Sequence, residues 1–196
     1  MSSEKIKNIF QIISGNLYHR KIPFAMIGAM ALGIYGLPRF TSDIDILVDG
    51  DFKDKVMSMM EILGYSCFQK SNNFAQFDSD LGVLGAIDYM FVYTQDGRDI
   101  LKQSVFIEDK MFGKCHVIQP TDYIILKLMA IANNPERCEQ DEADIVIILR
   151  SYKKNLIPES FGSIDIGKIY LFAERFGHRN KIEKLLNKNL FNNENS

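Results

Sequence analysis

The stretch TSDIDILV, residues 41–48, decides the fold, because two aspartates one residue apart open an apolar run. Successive side chains of a strand point to opposite faces, so Asp43 and Asp45 are predicted to share one face, away from the isoleucines. Two neighbouring carboxylates repel each other unless a cation neutralises them, and hard cations such as Mg²⁺ bind carboxylate oxygen. The pair predicts a metal site, although acids that face water at a strand end would give the same pattern.

A short strand and a turn of small residues precede this stretch. Residues 23–27, PFAMI, form the apolar strand, and residues 28–36, GAMALGIYG, read as a turn that opens a helix. Gly28 permits a close approach of the backbone to a ligand, and the free N–H groups of a helix start favour an anion such as phosphate. Before an Asp-x-Asp strand, this turn predicts a phosphate cradle that faces a metal site, whereas most such turns only join a strand to a helix.

These pieces together resemble the signature of the DNA polymerase beta-like nucleotidyltransferases, and within them the minimal bacterial group that includes the AbiE-type toxins. The matching pieces are Gly28-Ala29, residues 35–41 (YGLPRFT) and residues 43–45 (DID). The resemblance implies that Gly28, Ala29, Arg39 and Thr41 bind the nucleotide. Ala29 departs from the Gly or Ser of that pattern, which removes a hydroxyl but keeps the backbone N–H.

A third carboxylate lies in residues 85–93, GAIDYMFVY, where Asp88 is the only charge in an apolar strand. A buried carboxylate costs several kcal/mol unless it has a partner. The superfamily uses a third acid on a neighbouring strand, so the resemblance makes Asp88 a metal ligand with Asp43 and Asp45. A buried salt bridge, or a strand end that reaches water, is the alternative interpretation.

A second block that resembles the same group begins at residue 119. Lys127 is the one cation on the apolar helix of residues 119–130, and a compact ammonium is a good partner for phosphate. After a predicted break at residues 133–135, Asp141 and Asp144 lie three residues apart on one face of a later helix. The resemblance places Lys127 and one of these aspartates in the site. A surface lysine and an acidic first helical turn remain alternatives, and the sequence does not choose between the two aspartates.

The predicted fold class is α+β, with a small mixed nucleotidyltransferase sheet flanked by helices and a helical C-terminal part. Residues 1–118 are predicted to form the catalytic core, residues 119–190 the helical part that completes the site, and residues 191–196 a disordered polar tail. Helices are expected at 3–20, 51–63, 164–176 and 179–190, and strands at 65–69, 74–78 and 112–118. Gly64 is expected to end the second of these helices.

Composition is that of a compact globular enzyme, with 46% hydrophobic and 24% charged residues in a chain of 196. The net charge of −2 gives no global basic field for nucleic-acid binding. The three cysteines, Cys67, Cys115 and Cys138, lack metal-ligand spacing and fit a reducing cytoplasm. No apolar run is long enough to span a bilayer, so no membrane partner is expected.

The resemblance implies a transfer of a nucleoside monophosphate from a nucleoside triphosphate to an acceptor, with Mg²⁺ or Mn²⁺ as the cofactor. The toxin-like relatives imply RNA or protein as the acceptor and a cognate antitoxin as a partner. An antibiotic-modifying enzyme that acts on a small molecule is the alternative. A non-catalytic member that binds a nucleotide or a partner protein is a third possibility, which the three acids oppose.

Overall fold

The computed structural model describes residues 3–37, 41, 43–79, 86–109 and 113–191. The chain divides into two compact units, one with the bounds Met1–Ile34 and Pro38–Ile118, the other with the bounds Tyr35–Leu37 and Gln119–Ser196. Residues 35–37, which the sequence analysis placed in the catalytic core, therefore group with the second unit. Arg39 and residues 192–196 of the predicted tail lie outside the described residues.

The first unit is built on a seven-stranded sheet with the strand order β3-β4-β5-β2-β1-β7-β6. Its strands are β1 (Phe24–Met26), β2 (Ile44–Asp49), β3 (Tyr65–Lys70), β4 (Phe74–Ser79), β5 (Ile87–Val92), β6 (Val105–Asp109) and β7 (Gly113–Val117). The described helices of this unit are α1 (Ser3–His19), α2 (Gly28–Ile34), α3 (Lys53–Ile62) and α4 (Gln95–Gln103).

The sheet is mixed because two of its strand pairs are parallel. Strand β2 runs parallel to β5, and β1 runs parallel to β7. The other neighbouring strands are antiparallel. The predicted α+β class with a mixed sheet is confirmed, and the parallel pairing of β2 with β5 brings together the two strands that carry the candidate acids.

Local sequence explains the helices that were predicted in this unit. Ile9, Ile13 and Leu17 of α1 recur at four-residue spacing and are buried, as expected for the apolar face of an amphipathic helix. Helix α3 ends before Gly64, whose φ of 82° favours glycine and whose N–H donates to the Glu61 carbonyl. The predicted helix of residues 51–63 is confirmed, with a short 3-10 turn, Gly50–Phe52, ahead of α3.

Helix α4 and strand β6 were not predicted. Helix α4 is mostly polar, and Gly97 and Ile100 are its buried residues. Its start is fixed by Thr94, whose Oγ1 accepts a hydrogen bond from the Gly97 N–H at 3.2 Å. A Cβ added to Gly97 would lie 2.5 Å from Val92 Cβ, so this glycine permits the helix to pack closely on β5.

The second unit is helical. It contains α5 (Pro120–Asn133), α6 (Cys138–Lys153), α7 (Ile166–Arg175) and α8 (Arg179–Leu186), followed by a π-helical turn, Asn187–Phe191. Pro120 occupies the first position of α5, where its missing N–H costs nothing. The predicted break after Asn133 is confirmed, because a 3-10 turn, Pro135–Arg137, separates α5 from α6.

The apolar content is distributed over short elements. Across the described ranges, no helix combines the length and the hydropathy that a bilayer crossing requires.

Candidate functional site

Asp45 and Asp88 lie side by side in the first unit. They are partners in the parallel register of β2 and β5, so their side chains share one face of the sheet. Both are half-buried, whereas Ile44, Ile46 and Tyr89 on the other face are almost fully buried. The sheet therefore places two carboxylates next to each other on its less buried face.

Asp43 lies just outside the strand on which it was predicted. Strand β2 begins at Ile44, whose N–H donates to the Ala86 carbonyl at 3.0 Å. The Asp43 N–H donates to Thr41 Oγ1, and that hydroxyl donates to the Asp43 carbonyl, both at 3.1 Å. Thr41, predicted to bind nucleotide, thus makes a local turn that fixes the backbone of Asp43.

Gly28 lies directly against the Asp45 carboxylate. A Cβ added to Gly28 would lie 2.6 Å from Asp45 Cγ, and the φ of this glycine is 62°. The Ile27 N–H also donates to the Asp45 carbonyl at 3.1 Å. Only glycine suits this position, because any side chain would displace Asp45 and would strain the backbone.

The carboxylates of Asp45 and Asp88 could supply some, but not all, of the ligands of a hard divalent cation. Among the described residues, no three His, Cys, Asp or Glu side chains are grouped closely enough to hold a metal ion by themselves. Asp45 and Asp88 supply two adjacent carboxylates, and Mg²⁺ sites often use only one or two, with substrate phosphates and water as the remaining ligands. The pair therefore fits a metal that binds together with a nucleotide better than a metal held by the protein alone.

Lys127 lies beside both of the aspartates that were predicted as candidates to accompany it. In the second unit its Nζ is 2.8 Å from Asp141 Oδ1 and 2.7 Å from Asp144 Oδ2. The Asp141 side chain is fully buried and that of Asp144 is 2% exposed, while that of Lys127 is 13% exposed. Lys127 is therefore the cation of a largely buried cluster and not a surface lysine, and its predicted contact with phosphate stays a prediction.

Tyr123 completes this cluster, which we call the Lys127 cluster and which consists of Lys127, Asp141, Asp144 and Tyr123. The Tyr123 hydroxyl donates to Asp144 Oδ2 at 3.3 Å, and Lys127 Nζ lies 5.5 Å from the centre of the Tyr123 ring. The sequence left a choice between Asp141 and Asp144, and the structure brings both to the same ammonium. Both carboxylates contact the same ammonium, and these contacts join α5 to α6.

Sequence reasoning missed Gln76, which is the register partner of Asp88 on β4. Gln69 of β3 is in turn the partner of Gln76. Asp45, Asp88, Gln76 and Gln69 therefore form a polar row across four neighbouring strands. A polar residue between buried Ala75 and Phe77 was the available signal, but the register of β4 on β5 is a long-range property that the residues of one strand do not determine.

Comparisons with known proteins identify the fold. No protein-family model matches the chain, and no curated protein matches it in sequence. The antibiotic-resistance factor ANT(2'')-Ia superposes with a TM-score of 0.62 at 12% identity, over 93% of this chain and 96% of that chain.

Two further solved structures agree with that result. An antigenic nucleotidyltransferase-like protein from Paracoccidioides brasiliensis has a TM-score of 0.55 at 12% identity, covering 97% of this chain and 95% of that chain. The lincosamide antibiotic adenylyltransferase LnuA, with lincomycin bound, has a TM-score of 0.52 at 17% identity, covering 72% and 94%. The chain therefore has the nucleotidyltransferase fold.

Proposed function

We propose that this protein is a metal-dependent nucleotidyltransferase, which moves a nucleoside monophosphate from a nucleoside triphosphate to an acceptor hydroxyl and releases pyrophosphate. The observation that carries the proposal is the register pair of Asp45 and Asp88, set against Gly28 in a nucleotidyltransferase fold. Two neighbouring carboxylates repel each other, and a cation bound between them would relieve that repulsion. A site that binds a divalent cation together with its substrate would explain why two carboxylates lie side by side.

The carboxylates are assigned to the metal and to the acceptor. Asp43, Asp45 and Asp88 would hold Mg²⁺ or Mn²⁺, with Asp43 fixed by the Thr41 turn. A bound divalent ion would supply charge stabilisation for the transferring phosphoryl group. Asp88 is also the proposed general base, which requires its carboxylate to come within hydrogen-bond reach of the acceptor hydroxyl.

The nucleotide is assigned to the side of Asp45 that faces Gly28, away from Asp88. The backbone at Gly28 and Ala29 would carry the triphosphate, as the resemblance predicts, and Gly28 already permits the close approach of Asp45. Positioning and charge stabilisation supply most of the catalysis in such transfers. The nucleotide-binding roles of Arg39 and Thr41 stay predictions.

Lys127 would contact pyrophosphate only by weakening its bonds to Asp141 and Asp144. An ammonium that already contacts two carboxylates is a poor phosphate ligand, because those carboxylates compete with a phosphate for its N–H donors. Its contacts favour a structural role, and the catalytic role of Lys127, Asp141 and Asp144 stays a prediction.

Two classes of acceptor are compatible with the fold. The toxin-type interpretation, with RNA or protein as the acceptor and a cognate antitoxin, rests on the sequence resemblance alone. The small-molecule interpretation is favoured by the similarity to ANT(2'')-Ia and to LnuA, which are an antibiotic-resistance factor and an antibiotic adenylyltransferase.

The test is a transfer assay with each of four α-labelled nucleoside triphosphates and Mg²⁺. Total RNA, a protein extract, tobramycin and lincomycin serve as separate acceptors, and pyrophosphate release is measured in parallel. We expect label in one acceptor class with the wild-type protein and none with Asp45→Asn. The absence of both label and pyrophosphate with every nucleotide would refute the proposal.

A further inference from the structure

The polar row that starts at Asp45 continues beyond Asp88 to strands with no assigned role. Neighbouring strands lie about 4.8 Å apart, so Gln76 and Gln69 extend the row by roughly 10 Å past Asp88. Gln76 is half-buried and Gln69 is exposed. We call these two glutamines, which lie on the sheet face that carries Asp45 and Asp88, the glutamine strip.

The direction of the reaction assigns this strip to the acceptor. An in-line displacement requires the attacking oxygen and the leaving oxygen on opposite sides of phosphorus. If the triphosphate lies at Gly28, next to Asp45, the attacking hydroxyl approaches from the other direction along the polar row. That direction is the side of Asp88 that faces away from Asp45. The residue on that side is Gln76.

The charges around the strip indicate the chemistry of the acceptor. The four strands β2, β3, β4 and β5 carry a single basic residue, Lys70. Its register partner is Ala75, which alternates with Gln76 and therefore belongs to the opposite face. Asp78 lies two residues from Gln76 on the same face and is exposed. An acceptor that approaches here meets neutral amides and a carboxylate, and no cation of these strands.

We infer that Gln76, with Gln69 beside it, forms the acceptor subsite, and that it binds a hydroxyl-bearing group that is neutral or cationic. A primary amide both donates and accepts hydrogen bonds, as a hydroxyl does, so it suits such a group. A phosphate-rich backbone is disfavoured, because polyanion binding depends on Lys and Arg contacts. This inference rests on the proposed function, and within it favours a small molecule or a protein hydroxyl over RNA.

The experiment compares two reactions of the same variants. Hydrolysis of α-labelled ATP to AMP and pyrophosphate uses water as the acceptor and tests only the donor side. Transfer to the acceptor labelled in the assay above, from among tobramycin, lincomycin, protein extract and total RNA, tests both sides. The variants are Gln76→Ala, Gln76→Lys and Gln69→Ala, with Lys70→Ala on the opposite face as the control.

For Gln76→Ala we expect a rise of about tenfold in the KM for the acceptor, the effect of one lost hydrogen bond. The KM for ATP and the rate of hydrolysis should stay within about twofold, and Lys70→Ala should change neither reaction. Gln76→Lys should raise the acceptor KM further. Gln69→Ala should raise it by a smaller factor, and it keeps the test valid if the Gln76 variants do not fold.

Three results would overturn the inference while leaving the proposed function intact. The first is an unchanged acceptor KM in Gln76→Ala and Gln69→Ala. The second is a parallel loss of ATP hydrolysis in folded Gln76→Ala, which would assign Gln76 to the donor side. The third is label in total RNA together with a lower KM in Gln76→Lys. Wild-type protein that releases no pyrophosphate would refute the proposed function and this inference with it.

Discussion

The two units use aspartate in opposite ways. In the first unit, Asp45 and Asp88 are like charges placed side by side by strand register. In the second unit, Asp141 and Asp144 are placed around Lys127, at 2.8 and 2.7 Å from its ammonium. The first arrangement places like charges next to each other, and the second places each carboxylate beside an opposite charge. Two aspartates that lie close together can therefore have different surroundings, and the presence of a lysine beside them distinguishes the two cases.

The largest expected effect is on catalysis in the first unit. Asp45→Asn removes one of two paired carboxylates and should reduce nucleotidyl transfer on the order of a thousandfold, as loss of a preorganised charged group does. Pyrophosphate release with MgATP measures it. Asp49→Asn is the matched control, because Asp49 is on the same face of β2 but pairs with Arg98 at 3.3 Å. Equal activity in the two variants would remove Asp45 from the site.

The second prediction concerns stability in the second unit. Lys127→Ala leaves two buried carboxylates without their cation and should lower the free energy of unfolding by about 3–5 kcal/mol. Urea denaturation measures the loss. Lys114→Ala, which breaks an exposed pair with Glu108 at 3.7 Å, should cost less than about 0.5 kcal/mol.

A companion variant shows whether the ammonium of Lys127 requires both carboxylates. Asp141→Asn leaves one carboxylate for one ammonium, so it should cost less stability than Lys127→Ala. If instead Lys127→Ala kept its stability and lost affinity for triphosphate, the phosphate role predicted from the sequence would be correct, and the two units would not differ as described.

The third prediction separates backbone strain from crowding at the site. Gly28 and Gly64 both have a positive φ, but only Gly28 faces a carboxylate, since an added Cβ at Gly64 meets no atom within 4 Å. Each change to alanine should cost about 1–2 kcal/mol of stability through backbone strain. Gly28→Ala should in addition reduce transfer on the order of a hundredfold, because Asp45 must move. Similar activity in both variants would show that the position of Asp45 is not critical.

The smallest effect is a pH dependence in the second unit. Burial raises the pKa of the Asp122 carboxyl, and the hydrogen bond from Lys168 opposes that rise. A folded pKa above the unfolded value of about 3.9 means that the folded state keeps the proton longer. The free energy of unfolding therefore falls as the pH rises from the unfolded pKa to the folded pKa of Asp122.

Asp122→Asn should remove that contribution. Its stability relative to wild type should increase between about pH 4 and about pH 7, measured by urea denaturation across this range. A difference that is constant with pH would show that the bond with Lys168 cancels the effect of burial, and one that decreases would show that the bond outweighs it; either result contradicts the prediction.

Much of the fold was predictable because its signals are local. The Asp-x-Asp strand, the four-residue periodicity of α1, the position of Gly64 and the break at Asn134 each depend on a few neighbouring residues. Helix α4 was not predicted because its buried surface is small and its start depends on one Thr94 hydrogen bond. Asp43 was placed on the strand because sequence spacing does not determine where a strand begins.

The site was predictable in its residue types and less so in its geometry. The sequence identified Asp45 and Asp88 but not Gln76, because strand register is fixed by long-range packing. The partnership of Lys127 with both Asp141 and Asp144 was equally hidden, since it depends on how α5 packs on α6. Residues that were identified one by one thus form a like-charged pair in one unit and, in the other, two carboxylates around one ammonium.

The most direct test is the melting temperature of Asp88→Asn with and without MgATP, compared with wild type and with Asp49→Asn. In metal-free buffer, Asp88→Asn should melt at or above wild type, because it relieves repulsion with Asp45. Added MgATP should stabilise wild type and Asp49→Asn by mass action, but not Asp88→Asn. A large loss of stability in metal-free Asp88→Asn, or equal stabilisation of all three proteins by MgATP, would contradict the assignment of this pair to a metal–nucleotide site.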